Sequence, residues 1–201
     1  MAGIEWFPAI WLGGALFGLS VFLAGHLTPN YSHFCQSISE LGVRDAPYSR
    51  LVRFIGFFPL GLSFVIYAHQ TMGSFANVVP VTILLLIGLA IFIAGMYPTD
   101  PQNRRDTVSG KIHAMAVVAL LFLLGVAPFA FSVAALYRIP PAPWFFVFSL
   151  SMGLLTLVFL MFAPKGGRPM RAAIHQRLLL SLHCFWWSVL SVVLAMPAAG
   201  F

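Results

Sequence analysis

Charged side chains are scarce in this chain. Lys, Arg, Asp and Glu together make up 8% of its 201 residues, whereas soluble domains carry about 25%. Hydrophobic residues make up 60% of the chain, and Phe alone occurs 20 times. A soluble domain of this size does not bury that much apolar surface, so the composition excludes that class and predicts an integral membrane protein.

Cysteine and the common catalytic motifs are also nearly absent. Cys35 and Cys184 are the only cysteines, and their spacing offers neither a CxxC pair nor a disulfide framework. The chain has no phosphate-binding loop, no HExxH zinc motif and no GxSxG elbow. The first apolar segment lacks a basic leader, so we expect a retained helix rather than a cleaved signal peptide.

Long apolar runs are what the sequence does have. A spanning helix needs roughly 20 mostly apolar residues, and six segments meet this requirement within a single domain covering residues 1–201. Proline-rich turns separate several of them, because proline removes a backbone donor and ends helices. The predicted spans are 6–25, 51–72, 78–97, 111–137, 144–163 and 176–196.

The basic residues lie almost entirely on one side of these spans. Only Arg138 belongs to the other side, and this bias predicts that the basic loops face the cytoplasm and that both termini face away from it. A basic pocket for an anionic ligand is a second, compatible explanation. The ten residues of the basic side are Arg44, Arg50, Arg53, Arg104, Arg105, Lys111, Lys165, Arg168, Arg171 and Arg177.

The segment YSHFCQSISELG follows the first span and is unusually polar for this chain. Phe34, Ile38 and Leu41 have helical spacing, so we predict a short interfacial helix from about Ser32 to Leu41. Glu40 then lies off the apolar face. It is either a general base or metal ligand, or an interfacial carboxylate paired with Arg44 four residues later.

Three further residues combine polarity with a position near or within a span. Asp100 ends the third span and His113 begins the fourth, so the two lie at one depth and form either a base with its orienting partner or separate interfacial groups. His183 lies within the sixth span and predicts a buried, partnered side chain. His183 is about 80° round the helix from His175, which is not an ideal chelating arrangement.

Three short motifs resemble the bacterial and archaeal membrane family catalogued as domain of unknown function 998. They are ISELG at residues 38–42, GxxPxD at residues 95–100 and GxxH at residues 110–113. The resemblance covers residues 10–130 well and the last two spans by hydropathy. It implies a six-helix membrane protein without an established activity, and it marks Ser39, Glu40, Asp100 and His113 as the candidate catalytic residues.

A looser similarity links the chain to membrane-embedded metal hydrolases of the alkaline ceramidase and adiponectin-receptor type, which also gather Ser, Asp and His at one membrane face. The chain departs from them because its last span has no HxxxH pair. The similarity leaves open a lipid hydrolase that uses Glu, Asp and His. A haem or quinone protein that uses His183 is a further alternative.

The sequence therefore predicts an all-α, polytopic protein of the inner membrane: a six-helix bundle with an interfacial helix after the first span. The function that we favour is binding of a lipid or other amphipathic, anionic ligand in a basic-rimmed pocket at the cytosolic face. Nucleic acid is not an expected partner, while cofactor, metal, homodimer and membrane partner protein stay open. The predicted ligand-binding residues are Tyr31, Arg104, Arg105, Lys111 and His183.

Overall fold

A computed structural model describes residues 8–72, 78–101, 107–138, 143–162 and 169–195, and every regular element in these ranges is helical. A π-helical segment, Leu51–Phe57, runs without a break into α3. The α-helices are α1 (Pro8–Leu27), α2 (Ile38–Leu41), α3 (Phe58–Thr71), α4 (Val79–Met96), α5 (Val108–Arg138), α6 (Pro143–Met161) and α7 (Pro169–Ala195).

Within the described residues, five helical stretches are long and apolar enough to cross a membrane. The predicted span 176–196 belongs to α7, which is not among the five although it is 27 residues long. Its first half carries several polar and basic side chains, whereas its second half is apolar. The stretches that qualify are Ala9–Leu27, Leu51–Thr71, Val79–Met96, Val108–Ala134 and Trp144–Met161.

The long helices pack mainly on their neighbours in sequence, from α3 on α4 through to α6 on α7. Aromatic residues of α7 reach the centre of the bundle. Trp187 packs edge-on against Phe64 of α3, with ring centroids 5.1 Å apart, and against Phe131 of α5 at 5.9 Å. These buried contacts join α7 to the same apolar core as the other helices.

The start of the α3 stretch has an unusual hydrogen-bond register. The backbone N–H of Phe58 donates to the carbonyl of Arg53, five residues back, and the next residue, Pro59, has no N–H to donate. The wider π-helical turns thus end where the proline interrupts normal helical bonding. Arg53 lies within this π-helical segment and contacts the end of α4.

The helix predicted for residues 32–41 is represented only by the four-residue α2. Ile38 and Leu41 are buried, but Phe34 is 71% exposed and does not share their face, contrary to the predicted spacing. The chain before α2 forms a turn in which Cys35 and Gln36 donate to the carbonyl of Ser32. The helix starts at residue 38 rather than residue 32 because Ser37 and Glu40 form a cap at that position.

Candidate functional site

The polar segment after α1 is attached to the first half of α7 through Arg177. One terminal nitrogen of the Arg177 guanidinium donates to the carbonyl of Gln36 at 2.8 Å, and the other donates to the hydroxyl of Tyr31 at 2.8 Å. The first of these nitrogens also donates to the carbonyl of Ala173 at 3.2 Å. A charged donor with several acceptors makes strong hydrogen bonds, so Arg177 fixes the position of this segment.

Two further bonds complete the attachment. The backbone N–H of Ile38 donates to Oε1 of Gln176 at 3.0 Å, and the Tyr31 hydroxyl donates to the carbonyl of Ser37 at 3.0 Å. Burial raises the pKa of the Tyr31 hydroxyl, while the charge of Arg177 and its hydrogen bond oppose part of the rise. Tyr31 therefore stays neutral near pH 7 and acts as both donor and acceptor.

Glu40 has a definite local role as the second half of a capping box. Its Oε1 accepts from the backbone N–H of Ser37 at 2.9 Å and from the Ser37 hydroxyl at 3.1 Å, and its Oε2 accepts from Nε2 of Gln36 at 3.2 Å. The carbonyl of Ser39 accepts the N–H of Gly42, which ends the helix. The ISELG motif thus closes both ends of α2.

Asp100 joins the end of α4 to the start of α5. One carboxylate oxygen accepts the backbone N–H of Thr107 at 3.1 Å, and the other accepts the Thr107 hydroxyl. The Thr107 hydroxyl oxygen in turn accepts the N–H of Gly110 at 3.0 Å, as an N-cap side chain does. A β-carbon at residue 110 would overlap the Asp100 carboxylate, which would then have to move away from Thr107.

His113 bonds to the end of α4 as well. Its Nδ1 lies 2.9 Å from the carbonyl oxygens of both Ala94 and Tyr97. Because carbonyl oxygens only accept, Nδ1 carries the hydrogen and Nε2 carries a lone pair in the neutral ring. His113 is 5% exposed, and Nε2 has no hydrogen-bond partner among the described residues.

Arg53 completes the capping of α4 from the opposite side. Its Nε donates to the carbonyl of Gly95 at 2.8 Å, and a terminal nitrogen donates to the carbonyl of Met96. The last carbonyls of a helix lack partners within it and carry partial negative charge, which a guanidinium satisfies. The carbonyls of the GMYP stretch are therefore bonded to side chains of two neighbouring helices.

The bonds of Glu40, Asp100 and His113 thus serve two different connections of the backbone. Asp100 and His113 share the α4–α5 connection, while Glu40 belongs to the segment before α3. In the described ranges, no three His, Cys, Asp or Glu side chains lie close enough together to hold a metal ion. The catalytic roles of Ser39, Glu40, Asp100 and His113 stay predictions.

A largely open surface cavity of about 410 Å³ lies beside the attached segment. It brings Glu40 and Asp45 to the same space as Pro101, the residue after Asp100. Its described lining contains both carboxylates and no Lys or Arg side chain, in contrast to the predicted basic rim. The lining residues are Thr28, Tyr31, Gln36, Glu40, Leu41, Val43, Asp45, Ala46 and Pro101.

The predicted cationic ligand-binding residues are only partly described. Lys111 is exposed at the start of α5. Arg104 and Arg105 lie outside the described residues, three and four positions after Pro101 of the cavity wall. Arg44 stands between two lining residues, Val43 and Asp45, and is exposed.

His183 lies apart from this cavity, buried between α5 and α7 at 3% exposure. Its Nε2 is 3.0 Å from the carbonyl oxygen of Leu124 and its Nδ1 is 2.9 Å from that of Leu179. An axial ligand of haem iron needs a nitrogen lone pair directed at the metal. Both nitrogens face carbonyl oxygens instead, so the geometry does not favour that role.

Sequence reasoning did not single out Arg177, Gln176 or Arg53, which make the contacts between helices. All three appear in the sequence as ordinary polar residues near span ends. The one clue in the sequence was their position. Each lies in the early turns of a long helix, where a polar side chain can reach the loops of a neighbouring helix. Nothing local identified the partner carbonyls, because these come from segments about 40 to 140 residues away.

These features define a helical membrane protein. Its side-chain hydrogen bonds join the segment after α1 to α7 and the end of α4 to the neighbouring helices. The family model described as "Protein of unknown function (DUF998)" matches residues 12–193. The chain therefore belongs to this family, and the match extends through the last two long helices as well as the three motifs. Searches of curated proteins and of solved structures found no match.

Proposed function

We propose that this protein binds the head of a membrane phospholipid in the cavity beside the segment after α1. The observation that carries the proposal is the cavity itself, about 410 Å³ in volume and walled by a segment that Arg177 holds in place. A fixed wall favours binding because less conformational freedom is lost when the ligand arrives.

The mixed character of the wall supports an amphipathic ligand. Val43, Ala46 and Pro101 provide apolar surface, and Tyr31 and Gln36 provide hydrogen-bonding groups. Ligand sites commonly combine a mainly apolar wall with a few polar groups that orient the ligand. A lipid glycerol region with its head matches that combination better than a soluble ion does.

The phosphate of the head has cations within reach of the cavity edge. Arg44 is exposed between two lining residues, and the sequence places Arg104 and Arg105 shortly after Pro101. Arginine binds phosphate through two parallel hydrogen bonds, and basic groups near a membrane surface attract anionic lipid. We therefore assign the phosphate to the Arg44 side of the cavity.

The two carboxylates in the cavity lining determine which lipid head groups fit beside the phosphate. Glu40 and Asp45 are acceptors when ionised, so they favour a head with hydrogen-bond donors next to its phosphate. Phosphatidylethanolamine offers an ammonium group and phosphatidylglycerol offers hydroxyls. Phosphatidylcholine has the same phosphate with no donor, which makes it a matched negative probe.

We also propose that α7 is the sixth membrane span and that α2 lies at the membrane interface. Support comes from the length of α7, 27 residues, which reaches about 40 Å at 1.5 Å per residue. Its residues Trp186, Leu190 and Val193 are buried in the common core. With six spans, the positive-inside bias puts the cavity at the cytosolic face and both termini opposite.

Thermal unfolding of the purified protein in detergent, with defined lipids added, tests this proposal. A ligand that binds only the folded state stabilises it, by about 2.7 kcal/mol at 100 times its Kd. We expect phosphatidylethanolamine or phosphatidylglycerol to raise the Tm and phosphatidylcholine to raise it much less. Diacylglycerol, which lacks the phosphate, should have no effect.

Two exposed residues of the cavity edge supply the matching variants. Asp45→Asn should remove the preference for donor-bearing heads, and Arg44→Gln should reduce the shift with every phospholipid. Arg171→Gln removes an exposed cation of α7 away from the cavity lining and serves as the control. Equal Tm shifts for all lipids, or equal shifts in all three variants, would contradict the proposal.

A further inference from the structure

We propose that His33 is a pH sensor: its protonation releases the segment of residues 28–42 from α7 and thereby opens the wall of the cavity. The release itself follows from the contacts of the segment, whereas its effect on a lipid rests on the proposed function. The segment contains Tyr31 and Gln36, which line the cavity and are also the groups held by Arg177.

The ring of His33 is closely packed against the end of α1. Gly25 lies directly under it, and a β-carbon at that position would overlap the imidazole. Tyr31 packs edge-on against the ring, with centroids 5.2 Å apart, and Phe22 stacks on it at 6.4 Å. A shift of His33 therefore moves Tyr31, the residue whose hydroxyl Arg177 holds at 2.8 Å.

The environment of the ring suits a neutral imidazole. Nε2 of His33 is buried and has no hydrogen-bond partner among the described residues. Protonation would place a charged N–H in that position without an acceptor, and a buried unsatisfied group is costly, more so when it is charged. A neutral ring with its hydrogen on Nδ1 avoids most of this cost, because Nε2 then carries only a lone pair.

The charged groups that act on His33 oppose its protonation. Burial lowers the pKa of His33, and the charges of Arg177 from α7 and His26 from α1 lower it further. From its own segment the ring faces the neutral hydroxyl-bearing Tyr31. Glu40 of α2 bonds to Ser37 and Gln36. A protonated His33 would thus be repelled by the guanidinium that holds the segment.

The sign of the pH effect follows from this lowered pKa. The pKa of His33 is about 6.5, the ordinary value for histidine, when the segment is released, and lower when it is attached. Between these two pKa values the released segment binds more protons than the attached one. Attachment therefore weakens as the pH falls through this range and is unaffected above it. Each unit of lowering weakens attachment by at most about tenfold.

A spin label on Cys35 reports release without any lipid present. Cys35 is exposed within the segment, and Cys184→Ser removes the second cysteine. We expect a largely immobilised label at pH 8 and a growing mobile component as the pH falls below about 6.5. His33→Asn should abolish the pH response. His69→Asn, which changes an exposed histidine of α3, should leave it intact.

An unchanged label mobility across this pH range, or a response that persists in His33→Asn, would overturn the sensor. If His33→Asn does not fold, the conservative His33→Gln is used with the same two outcomes. Arg177→Gln provides an independent check, because it removes the cation that holds the segment. That variant should give a mobile label at all pH values, and an immobilised one would also overturn the proposal.

Lipid-dependent Tm shifts at pH 8 and pH 5.5 then separate this inference from the proposed function. A pH-dependent label together with no lipid effect at either pH rejects the lipid site and leaves the sensor standing. A lipid effect of equal size at both pH values rejects control of the cavity by His33. A smaller shift at pH 5.5 in the wild type but not in His33→Asn supports both.

Discussion

The imidazole Nε2 of His183 lies 3.0 Å from the carbonyl oxygen of Leu124, the carbonyl that Pro128 leaves without its helical partner. In a regular helix the N–H of residue 128 would donate to that oxygen, but proline has no N–H. With its hydrogen on Nε2, the His183 ring supplies the missing donor from α7. A polar residue within the bundle is thus explained by a proline on a neighbouring helix.

This relationship predicts energetic coupling between His183 and Pro128. His183→Leu should lower the free energy of unfolding by about 1–2 kcal/mol, because it leaves a buried carbonyl unpaired. In a Pro128→Ala background the new N–H satisfies Leu124, so His183→Leu should cost clearly less. Unfolding by SDS in mixed micelles measures all four proteins of this double-mutant cycle.

Ser188→Ala is a matched control on α7, because the Ser188 hydroxyl bonds to the carbonyl of Cys184 on an exposed face. Its cost should stay below about 0.5 kcal/mol. An equal cost of His183→Leu with and without Pro128 would show that the histidine does not act through the Leu124 carbonyl.

A second prediction concerns Asp100, which the sequence marked as a catalytic candidate. Asp100→Ala should lower the free energy of unfolding by about 1–2 kcal/mol, because both of its bonds to Thr107 at the start of α5 are lost. Asp100→Asn keeps one acceptor oxygen and should cost less. Equilibrium unfolding is the measurement.

Lys111→Ala, on the exposed side of the same helix start, serves as the control and should be nearly neutral. If Asp100→Ala leaves stability unchanged, the carboxylate is not the cap that its contacts indicate. Gly110→Ala offers an independent check, since the new β-carbon would displace the same carboxylate. It should be destabilising, though by less than Asp100→Ala, because alanine is a better helix residue than glycine.

The attachment of the polar segment gives a third prediction. Arg177→Gln removes charged hydrogen bonds to Tyr31 and to the Gln36 carbonyl and should cost about 1.5–3 kcal/mol. Tyr31→Phe removes only the hydroxyl and should cost about 0.5–1.5 kcal/mol. Because the two changes share one hydrogen bond, the double variant should cost less than their sum.

Additive costs for Arg177→Gln and Tyr31→Phe would contradict that shared bond. Arg50→Gln is the control, since Arg50 is an exposed cation just before the π-helical segment. Its effect should lie within about 0.5 kcal/mol of the wild type.

The class and most helices of this protein were predictable from composition and hydropathy. Apolar runs as long as a bilayer is thick need no tertiary information, and five described helical stretches that could cross a membrane overlap predicted spans. The count of six was not confirmed within the described residues, and the sixth candidate, α7, has a polar, basic start before its apolar second half. Hydropathy alone does not show whether such a start lies within the membrane.

The candidate site was predictable only where its interactions are local. Ser37 and Glu40 are three residues apart, and the S-x-x-E pattern of a capping box was present in the sequence. The Ser32–Leu41 helix was predicted from the spacing of three apolar residues, but the cap starts the helix later. The bonds of Arg177 and of His183 join distant segments, so only the fold reveals them.

The position of the native Cys35 allows the proposed orientation to be tested with one residue that needs no substitution. Six spans with the positive-inside bias put Cys35 on the cytosolic face. In a Cys184→Ser background, a membrane-impermeant maleimide should therefore label inverted vesicles and not intact spheroplasts. Labelling of spheroplasts at Cys35 would reverse the orientation and place the cavity outside the cytosol.

Two added cysteines determine whether α7 crosses the membrane. Val78→Cys lies at the start of α4, 77% exposed and separated from Cys35 by the Leu51–Thr71 stretch, so it should label from the outside. A cysteine appended after Phe201 should label from the same side as Val78→Cys if α7 is the sixth span. Labelling from the side of Cys35 would instead leave five spans, because a chain that crosses an odd number of times ends opposite to where it began.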